Sequence, residues 1–230
     1  MATLFHHPLC PHSRFVRLLL GEFGIDATLM EERAFERRTE FLIMNPAGTT
    51  PVFQEEQSGA IPGAAVIAEY LDETRGLAMG DRRLLPGDPM GRVEVRRLVD
   101  WFNGKMYDEV TGYLVKEKVF KRFMPAELGG GAPDMAAIRA ARSNIRYHLA
   151  YIGFLMQGRN WLAGDRLSWA DLAAAAQLSA ADYLGDVPWN ENEAAKHWYA
   201  RVKSRPSFRP LLADRVLGME PSEHYADLDF

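Results

Sequence analysis

A single cysteine, Cys10, in a chain of 230 residues excludes any disulfide within the chain and favours a reducing compartment. Positive charge is not in excess either. The 27 lysines and arginines face 31 aspartates and glutamates, a net charge of −4, so no basic field suits the chain to nucleic acid. No run approaches the roughly 18 apolar residues that a membrane span needs. The opening, Met1 to Arg17, has no charged leader before an apolar run and no small-residue cleavage site. The expected setting is therefore the cytoplasm, with neither nucleic acid nor a membrane span. What is present is ordinary globular material, 47% hydrophobic and 25% charged, with both signs interspersed. A chain this long buries a core without disulfide or metal staples, and no metal site is expected.

Thr3-Leu4-Phe5-His6-His7 reads as a short strand ended by Pro8. Pro11 follows where the first turn of a helix tolerates proline. Phe15, Val16, Leu18, Leu19, Leu20 and Phe23 then supply a heavily buried helix that stops at Gly24. Ala27 to Glu31 makes a second strand, so the chain opens as βαβ with a parallel pair and a right-handed crossover. Glu32 to Met44 reads as a partial helix and Asn45-Pro46-Ala47-Gly48 as a turn. Thr50 to Gln54 is a strand, Gln57-Ser58-Gly59 the hairpin returning into Ala60-Ile61, and Ala64 to Glu73 a closing helix. The order βαβ-α-ββ-α is that of a thioredoxin-like domain.

From Arg75 to Asp88 the pattern weakens into a linker, and Pro89 starts a long helix with Val95, Leu98, Val99, Phe102 and Met106 at helical spacing. A second long helix runs from about Pro133 to Gln157, beyond the flexible Gly129-Gly130-Gly131 loop. The expected organisation is residues 1–77 as the α/β domain, 78–88 as linker, 89–216 as an all-helical domain and 217–230 as a tail. Leu167-Ser168-Trp169-Ala170-Asp171-Leu172 carries the strongest local signal. Ser168 caps a helix while Asp171 reaches back to the Ser168 amide, a folding device in which the cap alone contributes about 1 kcal/mol.

Together these segments resemble the glutathione transferase superfamily over nearly the whole chain. Pro8-Leu9-Cys10-Pro11-His12-Ser13-Arg14 looks like its strand-to-helix turn, which carries a catalytic Ser, Tyr or Cys. Asn45 to Val52 resembles the segment that holds its cis-proline, which makes Pro51, after Thr50, the implied cis residue. Trp161 to Asp165, leading into the capping box, is similar to the helical-domain signature, and Trp198, Arg201-Val202 and Arg205 to Phe208 to its C-terminal block. The resemblance implies a thioredoxin-like α/β domain followed by an all-helical one.

Cys10 has two readings. A thiol at a helix N-terminus faces unpaired amides that stabilise a thiolate. Such a thiolate suits attack on a glutathione mixed disulfide, with Ser13 in place of a resolving cysteine, so a second thiol must come from solution. The other reading is a small buried residue that packs the first helix. His12 either raises or lowers the reactivity of Cys10 or, the favoured reading, is only a solvated first-turn residue.

The superfamily grips the γ-glutamyl end of glutathione with an acidic or amide residue followed by Ser or Thr. Here that pair falls on Gly63 and Ala64, which offer no side-chain hydrogen bond. Losing two such contacts costs roughly 2–4 kcal/mol, on the order of 30- to 1000-fold in affinity. Thr50, Pro51, Gly63 and Ala64 are then a vestigial or weak ligand site, and no cofactor is expected unless Cys10 uses glutathione.

The tail after Glu220 is acidic and ends in apolar anchors, Tyr225, Leu228 and Phe230. It suits docking on a partner or folding back over its own helical domain. Length, the Gly63-Ala64 lapse and the Asp227-Leu228-Asp229-Phe230 ending resemble a non-enzymatic group in the superfamily, the FtsZ-localised protein A group. That likeness implies a homodimer that binds FtsZ filaments at the division site, with Tyr225, Asp227, Leu228 and Phe230 as contacts. Lys116, Lys118, Lys121 and Arg122 read as plain surface. Arg92, Arg96 and Arg97, with Trp101 and Tyr107, lie where the fold commonly dimerises.

Overall fold

A computed structural model of the chain describes residues 1–56 and 58–228. It begins with β1 (Ala2–His6), α1 (Pro11–Phe23) and β2 (Ala27–Glu31). β2 pairs parallel with β1, Ala2 opposite Ala27, as a crossover through α1 demands. Next come α2 (Thr39–Met44), β3 (Val52–Glu55), β4 (Ile61–Pro62) and α3 (Ala64–Arg75). The sheet runs β2-β1-β3-β4, with β3 antiparallel to both its neighbours. The Thr50-Pro51 peptide is cis. Gln57, in the expected hairpin turn, lies outside the described residues.

α4 (Pro89–Asp100) starts with proline in its first turn, and Asp88 caps it by accepting from the Gly91 amide at 2.7 Å. The sequence pattern predicts one α-helix onward from there. The structure instead widens it into a π-helical stretch, Trp101–Thr111, before α5 (Gly112–Lys118). Such wide turns recur at functional sites. α6 (Met135–Met156), α7 (Trp169–Tyr183), α8 (Glu193–Lys203) and α9 (Arg209–Leu212) complete the second unit.

Every residue of α7 is buried. Its alanines, Ala173 to Ala176 among them, are small enough for α1, α4 and the π-helical stretch to close on it together. The capping box forms as the sequence implies, and Asp171 does more than cap. Its two oxygens accept from the Ser168 amide, the Ser168 hydroxyl, the Leu162 amide and the Trp198 indole, all at 2.9–3.0 Å. At the other end of α1, a Cβ on Gly21 would stand 2.8 Å from that of Ser207. Glycine there lets the turn after α8 lie flat on the helix.

The chain after α9 folds back over its own body, one of the two readings open from sequence. Ser222 donates to the Asp182 carbonyl at 2.6 Å. Tyr225 is buried among Leu9, Val115, Val119, Ala180 and Tyr183. Tyr225 is therefore a core residue rather than a partner contact, because its ring already has a complete apolar shell. Asp227 and Leu228 lie exposed beyond it, and Phe230 lies outside the described residues. The basic cluster is largely paired within the chain, Lys118 with Asp186 and Lys121 with Glu117.

Candidate functional site

A cavity of about 1230 Å³ opens where the N-terminus of α1, the Thr49-Thr50 turn, the start of α3 and the π-helical stretch meet. Cys10 is the N-cap of α1, and Pro11 at the first helical position fixes the entry of the chain. Its sulfur lies 3.7 Å from the Thr50 carbonyl. Asn45 holds that turn by donating to the Thr49 carbonyl at 2.7 Å.

His12 is not the solvated residue expected from sequence. Its Nε2 lies 2.8 Å from the Asn103 carbonyl, which only accepts, so Nε2 carries the ring proton and donates it there. Its ring sits 4.4 Å, centre to centre, from that of Tyr107. The π-helical stretch supplies both groups, and Gln177 of α7 steadies Asn103 by donating to Oδ1 at 3.0 Å. With Nε2 committed, Nδ1 is the ring's remaining acceptor.

Burial pushes the Cys10 thiol up, but hydrogen bonding and charge from His12, with hydrogen bonds from Ser13 and Thr50, outweigh it. The net result is a thiol lowered from 9.0 to about 7. His12 moves the opposite way: burial lowers it, while the Cys10 hydrogen bond and charge raise it above its ordinary value. The two groups thus share one proton near neutrality as a coupled pair. Tyr107 is pushed up to about 12 by burial and the nearby sulfur, so it stays a neutral phenol. His7, on the opposite wall, is lowered to about 4 by burial and the Arg14 charge. Alkylation of Cys10 by iodoacetamide is therefore expected to rise through a midpoint near pH 7, and His12→Ala to move that midpoint upward. A wild-type midpoint above pH 8 would contradict this pairing.

At the other end of the cavity, Gly63 and Ala64 at the start of α3 carry no side-chain donor. Gly63 has φ +90°, a conformation that side chains rarely adopt, and its amide already donates to the Pro51 carbonyl at 3.0 Å. Ala64 adds only a first-turn amide, enough for a weak anion contact. Arg96, which also lines the cavity, is held by Glu69 in a bidentate pair at 2.8 and 2.9 Å. Gly63 and Ala64 thus give this end of the cavity no side-chain contact of their own. The structure brings Cys10, Thr50, Gly63 and Ala64 to one cavity and leaves Asp227 and Leu228 on the tail. The sequence allows His12 to alter the reactivity of Cys10, but the solvated reading favoured there does not hold. Tyr107, read from sequence only as part of a dimer face, lines this cavity. Among the described residues, no His, Cys, Asp and Glu grouping could hold a metal ion, and no helix is long and apolar enough to cross a membrane.

Residues 4–79 match the model for the glutathione S-transferase N-terminal domain, and residues 124–206 that for its C-terminal domain. The chain belongs to the glutathione S-transferase family. Among members of that family, it is 48% identical to FtsZ-localized protein A of Caulobacter vibrioides, over 99% of this chain and 98% of that protein. The solved structure of FzlA from C. crescentus, 48% identical, superposes with a TM-score of 0.90 over 100% of this chain and 99% of that one. A glutathione S-transferase structure from Sinorhizobium meliloti 1021 is 55% identical, with a TM-score of 0.98 over 100% of both chains. The glutathione S-transferase fold is thus shared with relatives that carry two different kinds of name, and the cavity has to distinguish them.

Proposed function

We propose that this chain is a cell-division protein of the FtsZ-localized protein A kind, a homodimer that binds FtsZ filaments in the cytoplasm at the division site. In this reading the transferase fold serves as a scaffold without conjugating activity. The observation that carries the proposal is the 48% identity along 99% of the chain to a protein named for its localisation with FtsZ. The Gly63-Ala64 start of α3 supports it, because the family fold is kept where side-chain ligand contacts are missing. Asp227 and Leu228 are the described contact candidates, and Phe230 follows them in sequence. The domain division proposed is that read from sequence: 1–77, the linker 78–88, 89–216 and the tail.

Since Tyr225 belongs to the core, the test cuts the chain after Ala226. Removing residues 227–230 is expected to lower co-sedimentation with FtsZ filaments at least tenfold, while Cys10→Ala leaves it unchanged. A second reading, a glutathione-dependent thiol transferase using Cys10 with Ser13 beside it, is favoured by one observation, the thiol lowered to about 7. Titration calorimetry separates the two. Micromolar binding of glutathione, with disulfide turnover abolished by Cys10→Ala and no pelleting with FtsZ, would replace the first reading by the second.

A further inference from the structure

His7, just after β1, lines the cavity and is only 5% exposed. Its Nδ1 accepts from the Leu9 amide at 3.2 Å, and an amide only donates, so the neutral ring carries its proton on Nε2. That N–H has no hydrogen-bond partner among the described residues. Nor is it sealed off, since the buried and unpaired side-chain atoms among them are His6 Nδ1 and Trp169 Nε1. Nε2 therefore keeps accessible surface, and the cavity that His7 lines is where that surface lies. The ring meets Phe120 edge to face, 4.9 Å between centres, which offers at most a weak N–H···π contact. Buried donors are rarely left unpaired, so this one calls for an acceptor from outside the chain.

The surroundings select the charge of that acceptor. Arg14 is fully buried and donates to the Pro8 carbonyl at 2.6 Å, the Tyr225 hydroxyl at 2.7 Å, Ser179 at 3.0 Å and Asp214 at 3.2 Å. Burial, and then the charges of Arg14 and Arg33, keep the His7 ring neutral. Two cations acting on a neutral donor favour an anion as its acceptor. Lys116 and Phe120, one turn apart at the end of α5, both line the cavity, and Lys116 has no ion pair among the described residues. Glu32, whose amide donates to the His6 carbonyl beside His7, has both carboxylate oxygens on Arg38. Its charge is thus already met. Phe35, 5.9 Å from Phe120 between ring centres, and Met124 add an apolar wall.

We propose that His7, Lys116 and the wall of Phe35, Phe120 and Met124 form a binding site for a carboxylate anion with an apolar body, of which a medium-chain fatty acid is the simplest. One carboxylate oxygen accepts the Nε2 proton of His7, and the carboxylate pairs with the Lys116 ammonium. The apolar chain lies along Phe35, Phe120 and Met124. Binding is non-covalent and leaves the thiol untouched. A charge-assisted hydrogen bond is about twice as strong as a neutral one, so the carboxylate is preferred over an alcohol of equal length. The site stands whichever partner the C-terminal tail takes.

Decanoate and decanol, matched in chain length, are the probes, titrated calorimetrically into the full chain at pH 7. Decanoate is expected to bind wild type at least tenfold more tightly than decanol. Lys116→Met keeps an apolar stem at an exposed position and is expected to weaken decanoate at least fivefold while changing decanol less than twofold. His7→Phe keeps a ring but removes the donor, and the same split is expected. In wild type, saturating decanoate is expected to slow exchange of the His7 Nε2 proton with water at least fivefold, as followed by NMR. Equal affinity for the two probes, no binding of decanoate, or a loss below fivefold in Lys116→Met overturns the proposal. If His7→Phe does not fold, proton exchange in wild type decides, and an unchanged rate with decanoate bound overturns it.

Discussion

Replacing Asp171 with alanine is expected to destabilise the protein by about 4 kcal/mol. The carboxylate is fully buried and accepts from four donors, two amides, a hydroxyl and an indole. Burial pushes its carboxyl up, and those donors pull it back towards ionisation. Alanine leaves the Leu162 amide and the Trp198 indole unpaired inside the core, at about 1–3 kcal/mol each. It also removes half of the capping box at the start of α7. Ser168→Ala, which removes only the cap, should cost about 1 kcal/mol. In urea unfolding, with a slope of about 3 kcal/mol per molar at the upper end for small proteins, the Asp171 variant should lose more than 1 M from its midpoint. A loss no greater than that of Ser168→Ala would show that the two distal donors contribute nothing.

Arg14→Met should cost about 3 kcal/mol and free the tail while leaving the body folded. Methionine fills much of the space but returns no donor to the Pro8 carbonyl or the Tyr225 hydroxyl. Removal of one member of a buried charged cluster typically costs about 3–5 kcal/mol. The lower end applies, because Arg17 still pairs with Asp214 at 2.7 and 2.9 Å. Limited proteolysis should cut between residues 214 and 228 at least tenfold faster than in wild type, since such cleavage follows the population of the opened state. His7 supplies an independent readout. Burial is the main reason it sits near pH 4, and the Arg14 charge is the next. Its titration, followed by NMR, should therefore move up in the variant without reaching the ordinary value of about 6.5. An unchanged His7 together with an unchanged cleavage rate would remove Arg14 from its place at the centre of this cluster.

Much of this architecture is legible in the sequence. The βαβ opening, the stop at Gly24, the cis bond at Pro51 implied by family resemblance, and the Ser168-Asp171 box all stand where the sequence placed them. So does the α3 start without side-chain donors at Gly63 and Ala64. The π-helical stretch was not legible, because Val95, Leu98, Phe102 and Met106 keep an apolar spacing that an α-helix also satisfies. His12 was judged by its neighbours in the first turn, and its actual partner, Asn103, lies 91 residues away. Arg14 looked like one more charged residue in an amphipathic helix, yet its partners Ser179 and Tyr225 are 165 and 211 residues distant.

The division follows from the range of the forces concerned. Periodicity, capping and turn chemistry act over a few residues, so the elements, their order, the thiol at the start of α1 and the small side chains at the start of α3 follow from the sequence alone. Whether a charged or aromatic side chain meets water or a partner depends on segments that only folding brings together. Tertiary structure alone therefore decided that His12 faces Cys10, that Arg14 is buried, and that Tyr225 seats the tail on its own chain.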